Sequence, residues 1–305
     1  MATRLPDAIP LHPARANRLF CFGLGYSAMA LARRLIAGRW RVAGTCRTPE
    51  KAEALRAAGI EPFLFDRGRP LADAAAALAG TTHLLSSVPP DAKGDPVLDH
   101  HANDLIRLEG VKWTGYLSTT GVYGDRAGEW VDERGALHPV GPRGKARVAA
   151  EEGWLGLGRV GHKVHVFRLA GIYGPGRSAL DTVRGGNAKR VVKPGQVFSR
   201  IHVEDIASVL EASIANPEAG GVYNVCDDDP APPQDVIAYA CALLGVEAPP
   251  EVPYALAEKS MSEMARSFYA ENKRVMNRKI KDALGVRLAY PDYRAGLKAL
   301  LESGA

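Results

Sequence analysis

Cysteine is scarce: Cys21, Cys46, Cys226 and Cys241 are the only four in 305 residues, far apart and without a CxxC pair. That spacing argues against structural zinc and against a disulfide framework, and it suits a reducing compartment. Long apolar runs are also missing, so no membrane span is expected. The stretch through Arg18 is broken by Pro6, Pro10 and Pro13 and holds no apolar run of signal-peptide length. No Lys/Arg-rich block occurs, and no basic stripe is interleaved with the aromatics, which make up 7% of the chain. Nucleic-acid binding would need such a footprint. The expectation is a cytoplasmic protein with a loose N-terminal arm over 1–17, no bound metal, and neither a nucleic-acid nor a membrane partner.

The rest is ordinary globular composition, 46% hydrophobic and 24% charged with a net charge of +5. That is enough apolar material for a sizeable core in one large domain or two lobes. Short apolar runs, "LFCFG", "WRVAGTC", "IEPFLF", "THLLSSV", "WTGYLST" and "HKVHVFRL", read as strands. Helical stretches such as "SAMALARRLIAG" and "PEKAEALRAAG" separate them, with Gly38, Gly59 and Gly80 at the expected helix ends. This alternation predicts an α/β, Rossmann-type doubly wound parallel sheet. Past Gly171 the regularity falls and Pro/Gly clusters appear. The expected organisation is a dinucleotide-binding domain over 18–170, with 201–228 threading back to it, and a smaller C-terminal substrate lobe over 171–200 and 229–305.

Gly23, Gly25 and Ala28 follow the first strand as G-x-G-x-x-A, with Tyr26 and Ser27 opening the next helix. Small residues are needed there for a tight turn, for close approach of a pyrophosphate, and for helix–strand packing. The helix N-terminus adds free N–H groups. An NAD site carries an acid about 20 residues further on. Here the second strand ends Thr45, Cys46, Arg47, and Arg47 is placed to pair with a 2′-phosphate, so NADP is expected ahead of NAD. Asp66 is placed either to bond an adenine amine or to form a turn. Ser86, near the end of the fourth strand, completes the candidate cofactor set.

"LSTTGVYG" puts Ser118, Thr119 and Thr120 at the carboxyl end of the fifth strand, where open α/β sheets bind ligands. Together with "GLGYSA", "FRLAGIYGPGR" and "RIHVEDIA", it resembles the short-chain dehydrogenase/reductase superfamily in its extended, NAD(P)-dependent epimerase/dehydratase-like branch. The resemblance runs from about residue 18 to near the end of the chain. It implies a Ser/Thr–Tyr–Lys site, a homodimer, and a small-molecule substrate. Thr119 stands at the family's hydroxyl position. Arg143 stands where the general-acid tyrosine belongs and Arg147 where the lysine belongs, in "GPRGKARVAAEEGW". Arginine does not give up its proton in a protein, so Arg143 is not an acid/base, while Arg147 can still bind ribose or phosphate. Thr120 and Gly121 occupy the places of the dehydratases' Asp-Glu pair, so that dehydration is not expected.

The candidate catalytic set is therefore Thr119, Ser118, Tyr123 and Arg143, with Tyr123 the nearest phenol. Lys145, Glu129, Asp132, Glu133 and His202 read more simply as solvated or structural, with Asp205 tethering its helix. Arg177 and Arg200 suit either an anionic or sugar-like substrate or pairing with a local Asp or Glu; Arg168 reads as structural. Tyr269 and Lys273, in "YAENK", repeat the Tyr-x-x-x-Lys spacing, but far in order from the fifth strand and at about the frequency chance allows. Two functions follow: an atypical NADP-dependent oxidoreductase or epimerase-like enzyme, or a non-catalytic NADP-binding sensor. A blocked pocket would favour the second and an open, polar-lined one would weaken it.

Overall fold

The apolar runs are strands in the computed structural model, which describes residues 17–304; the expected N-terminal arm lies outside it except for Asn17. Elements β1 (Arg18–Phe22), α1 (Tyr26–Ala37), β2 (Arg41–Cys46), α2 (Pro49–Ala57), β3 (Glu61–Leu64), α3 (Ala74–Leu78), β4 (His83–Ser86), α4 (Pro96–Ile106) and β5 (Trp113–Thr119) alternate strictly. A short β6 (Trp130–Val131) and α5 (Pro142–Gly156) lead to β7 (Val164–Leu169). Helix starts are chemically marked. Thr48 accepts from Lys51 N ahead of Pro49, Asp95 accepts from Val97 N ahead of Pro96, and Pro142 is the first residue of α5.

The second half runs β8 (Gly171–Tyr173), α6 (Ala179–Arg184), β9 (Arg190–Val192), β10 (Arg200–His202), α7 (Val203–Ala215) and β11 (Gly221–Val225). It continues through α8 (Pro233–Leu244), β12 (Glu251–Pro253), α9 (Tyr254–Ala257), α10 (Glu263–Tyr269), β13 (Arg274–Val275), α11 (Arg278–Leu284) and α12 (Tyr293–Glu302). The main sheet has seven strands in the order β11-β7-β5-β4-β1-β2-β3, with every neighbouring pair parallel. The chain leaves β1 toward β2 and β3, then returns past β1 to β4. That reversal opens a crevice at the carboxyl ends of β1 and β4, where such sheets bind ligands.

Both faces of the sheet are covered, which is why its strands read as continuous apolar runs. Leu19 and Cys21 pack with Leu31, Trp113 and Phe167 on one face; Phe20 and Phe22 pack with Phe65, Tyr116 and Trp154 on the other. Helix α7 lies against α1, joined by Arg34 to Glu204 at 2.6 Å and to Glu211 at 2.9 Å. A separate core of Tyr173, Leu180, Val236, Ala240, Leu297 and Leu300 holds α6, α8 and α12 together. The segment after α10 is stitched to the loop after β5: β13 pairs with β6, and Lys273 Nζ donates to Gly124 O at 2.9 Å.

Candidate active site

The tight turn after β1 needs Gly23, whose φ is +83° and whose missing Cβ would sit 3.0 Å from both Ser87 Oγ and Val88 Cγ2. Gly25 has nothing within 4 Å of its Cβ position, so its backbone is open to a ligand. It precedes α1 without a side-chain cap, and no acidic residue lies in the first turn. The first intrahelical bond runs from Met29 N to Gly25 O, which leaves the amides of Tyr26, Ser27 and Ala28 as donors at a helix N-terminus. This arrangement fits a pyrophosphate. Ala28 is buried against β1, as its packing role requires.

A cleft of about 750 Å³ opens here, lined by Gly25, Tyr26, Ser27, Ser87, Ser118, Thr119, Thr120 and Arg147 on the sheet side. The second half of the chain contributes Tyr173, Arg177, Phe198, Arg200, Phe268, Tyr269, Glu271 and Lys273 to the lining. Thr119 is half-buried and its Oγ1 accepts from Gly121 N at 3.1 Å, leaving its own O–H free to donate. Ser118 Oγ is committed beneath it, donating to Glu151 Oε1 at 2.5 Å. Glu151 in turn pairs with Arg168 at 2.7 Å, both side chains almost wholly buried. Arg147 reaches the cleft and donates to Leu117 O at 2.6 Å and Tyr116 Oη at 3.1 Å.

Several expected site residues stand elsewhere. Tyr123 is fully buried, and its hydroxyl donates to Asn224 Oδ1 at 2.7 Å while accepting from Arg168 at 2.8 Å. Burial pushes that phenol up to about 12, and it does not line the cleft. Arg143 is exposed and outside the cleft: the first turn of α5 packs through Gly144 on Pro139 and the turn after β5, and the helix is first buried at Ala150. Ser86 is sealed with its Oγ unpartnered, and Ser87, one residue on, takes the cleft position. Asp66 heads a turn, accepting from Gly68 N at 2.9 Å and Arg69 Nη2 at 2.8 Å. Arg47 is exposed just past β2, with Arg69 bonded to its carbonyl oxygen.

The charged residues read as structural are so placed. Lys145 and Glu129 are exposed, and Asp132 pairs with Arg134 at 2.8 Å. Glu133 accepts from Asn224 N at 2.8 Å, and Asp205 accepts from Ala289 N and Tyr290 N. His202 caps α7 by accepting from Glu204 N, and burial pushes it down to about 4. Arg177 and Arg200 do converge, lining both the cleft and an adjoining chamber of about 550 Å³. Asp227, near Arg200, is buried with neither carboxyl oxygen hydrogen-bonded. Burial pushes it up to about 8, against the pull of Arg200.

The parallel sheet, its switch point and the glycine turn define the class: a doubly wound α/β protein with the fold of the extended short-chain dehydrogenase/reductases, of the epimerase/dehydratase kind. Human epimerase family protein SDR39U1, solved with NADPH, matches with a TM-score of 0.70 at 18% identity, over 93% of this chain and 99% of that one. More particularly, the chain belongs to one family with a functionally unknown conserved protein from Silicibacter pomeroyi DSS. The two are 52% identical with a TM-score of 0.86, over 95% of this chain and 99% of that one. Protein YeeZ of Escherichia coli (strain K12) is 29% identical over 283 residues, 88% of this chain and 95% of YeeZ. No family model matches the chain.

Proposed function

We propose that this protein is an atypical NAD(P)-dependent oxidoreductase, epimerase/dehydratase-like in kind, that takes NADP and acts on a small polar carbonyl or hydroxyl compound bearing an anionic or sugar-like group. The observation that carries the reading is the juxtaposition, in one open cleft, of the uncapped glycine-turn helix and the Thr119 hydroxyl. Gly23, Gly25 and the amides of Tyr26 to Ala28 would hold the pyrophosphate. Arg47, exposed beside the cleft end of β2 with no carboxylate partner among the described residues, supports the choice of NADP. A bound nicotinamide would supply or accept hydride. Thr119 orients the substrate oxygen by donating its free O–H, Arg147 stands on the ribose side, and Arg177 and Arg200 attract the substrate's negative group.

The absence of the Tyr/Lys pair from α5 favours a second reading, a nucleotide-binding sensor without catalysis. The open cleft, with Thr119, Arg147, Arg177 and Arg200 in its largely apolar lining, weighs against it. Titration of the purified protein with NADPH and with NADH, followed by nucleotide fluorescence and protein melting, is the test. Tight NADPH binding with weak NADH binding is expected. Failure to bind either nucleotide would overturn both readings, and NADPH binding without hydride transfer to any carbonyl tried would favour the sensor.

A further inference from the structure

Carbonyl reduction needs an acid, and the two places where this fold offers one first are closed. Arg143 is exposed outside the cleft and Tyr123 is sealed beneath it. Three phenols line the cleft itself: Tyr26, Tyr173 and Tyr269. Tyr26 spends its hydroxyl on Pro175 O at 3.0 Å, and Tyr173 donates to Asp292 O at 3.3 Å. The Tyr269 hydroxyl has no hydrogen-bond partner among the described residues. Its ring is held edge-on against Phe198, centroids 5.4 Å apart, and stacked on Tyr254 at 5.1 Å.

The backbone beneath Tyr269 is equally well fixed. Lys193 Nζ donates to its carbonyl oxygen, and three residues on, Asn272 N donates to Asp125 Oδ1 at 2.7 Å. Lys273 is a tether rather than a partner of the phenol, since its ammonium is shared between Gly124 O and Glu271. Arg200, from β10, lines the same cleft, and its charge works against the burial that raises the phenol.

We propose that Tyr269 is the proton donor of the cleft, standing in from the C-terminal lobe for the tyrosine that Arg143 replaces in α5; the proposal rests on the oxidoreductase reading above. In the reductive direction, hydride from a reduced nicotinamide nucleotide arrives at the carbonyl carbon and the C=O π pair moves to oxygen. That oxygen takes the proton from Tyr269 Oη. The phenolate left behind is favoured by the charge of Arg200, which also lines the cleft, and regains a proton from water at the cleft mouth. Burial holds this phenol above its ordinary range while Arg200 pulls the other way, so at neutral pH it carries the proton it gives.

The test compares wild type with Tyr269→Phe and Arg200→Gln, using NADPH as nucleotide and phenanthrenequinone as carbonyl probe. Tyr269→Phe is expected to bind NADPH as the wild type does and to lose about 100-fold or more in turnover. In parallel, the proteins are labelled with fluorotyrosine and followed by fluorine NMR; the resonance missing from Tyr269→Phe is that of Tyr269. It is expected to move on NADPH addition and to ionise at higher pH in Arg200→Gln. Unchanged turnover in Tyr269→Phe, or a Tyr269 resonance indifferent to both NADPH and Arg200→Gln, overturns the proposal and leaves the oxidoreductase reading standing. If no protein turns over the quinone, the fluorine arm alone decides. A wild type that binds no NADPH overturns the oxidoreductase reading itself, and the proposal with it.

Discussion

At the residue scale, the site depends on single atoms being absent or free. Gly23 combines a φ of +83° with two neighbours 3.0 Å from where a Cβ would be. Gly23→Ala places a side chain in a backbone region L residues avoid and presses it against Ser87, which lines the cleft, and Val88. The expected result is a folded protein, destabilised by about 1 kcal/mol, with NADPH affinity reduced about tenfold or more; isothermal titration and urea unfolding check both. The two arginines in the first turns of α5 part company at this scale too. Arg143 and Arg147 are one turn apart, yet only Arg147 meets the sheet, donating to Leu117 O and Tyr116 Oη. The phenol and hydroxyl left without a committed proton in the cleft, Tyr269 and Thr119, come from segments 150 residues apart.

At the element scale, α5 is held to the sheet by a buried ion pair placed directly under the cleft floor. Glu151 on α5 faces Arg168 on β7 at 2.7 Å, and Ser118 at the end of β5 donates to the same carboxylate. Arg168 also stacks over the Tyr123 ring, its guanidinium carbon 4.9 Å from the centroid, and bonds its hydroxyl. Removing one partner leaves the other charge buried and unpaired. Glu151→Ala is therefore expected to cost about 3–5 kcal/mol in urea unfolding and to loosen Ser118 and Thr119 above it. Arg168→Met with Glu151→Leu, which removes both charges, is expected to recover much of that loss, because the cost lies in the uncompensated charge.

At the scale of the whole molecule, stability is tied to pH by two buried histidines, one at the junction of β10 with the segment before α12 and one at the far end of the sheet. His202 sits at the junction, its ring 4.0 Å from Tyr290 and 5.1 Å from Tyr173. His83 lies under Trp40 at 4.5 Å, at the opposite end of the sheet strands. Burial pushes both down to about 4 from 6.5. A histidine lowered in the fold stays neutral there while the unfolded chain takes up protons. Its stability contribution is complete above about pH 6.5 and is lost progressively as pH falls toward about 4, about 3 kcal/mol for each. Urea midpoints measured from about pH 7.5 down to about pH 4.5 are expected to fall, and less steeply in His202→Gln than in the wild type.

Local chemistry alone determined the alternation of strands and helices from β1 to β5, strand β7, the parallel sheet, and the glycine turn. Each is written in contiguous residues: apolar runs of strand length, caps such as Thr48-Pro49 and Asp95-Pro96, and small residues where only small residues fit. The loss of tyrosine from α5 was equally legible, since arginine has no proton to give. Which residues face the cleft was not. Ser86 and Ser87 differ by one position, and strand parity alone does not say which of them clears the sheet edge. Tyr123 reads as an available phenol because its partners, Arg168 and Asn224, are 45 and 101 residues away. Tyr269 reads as a chance match because nothing near it in sequence points to β5; pairing of β13 with β6 and the bond from Lys273 to Gly124, 149 residues apart, carry it there. The fold is set by short-range pattern, whereas the active site is set by long-range closure, and only the folded chain decides which of its spare hydroxyls and charges converge.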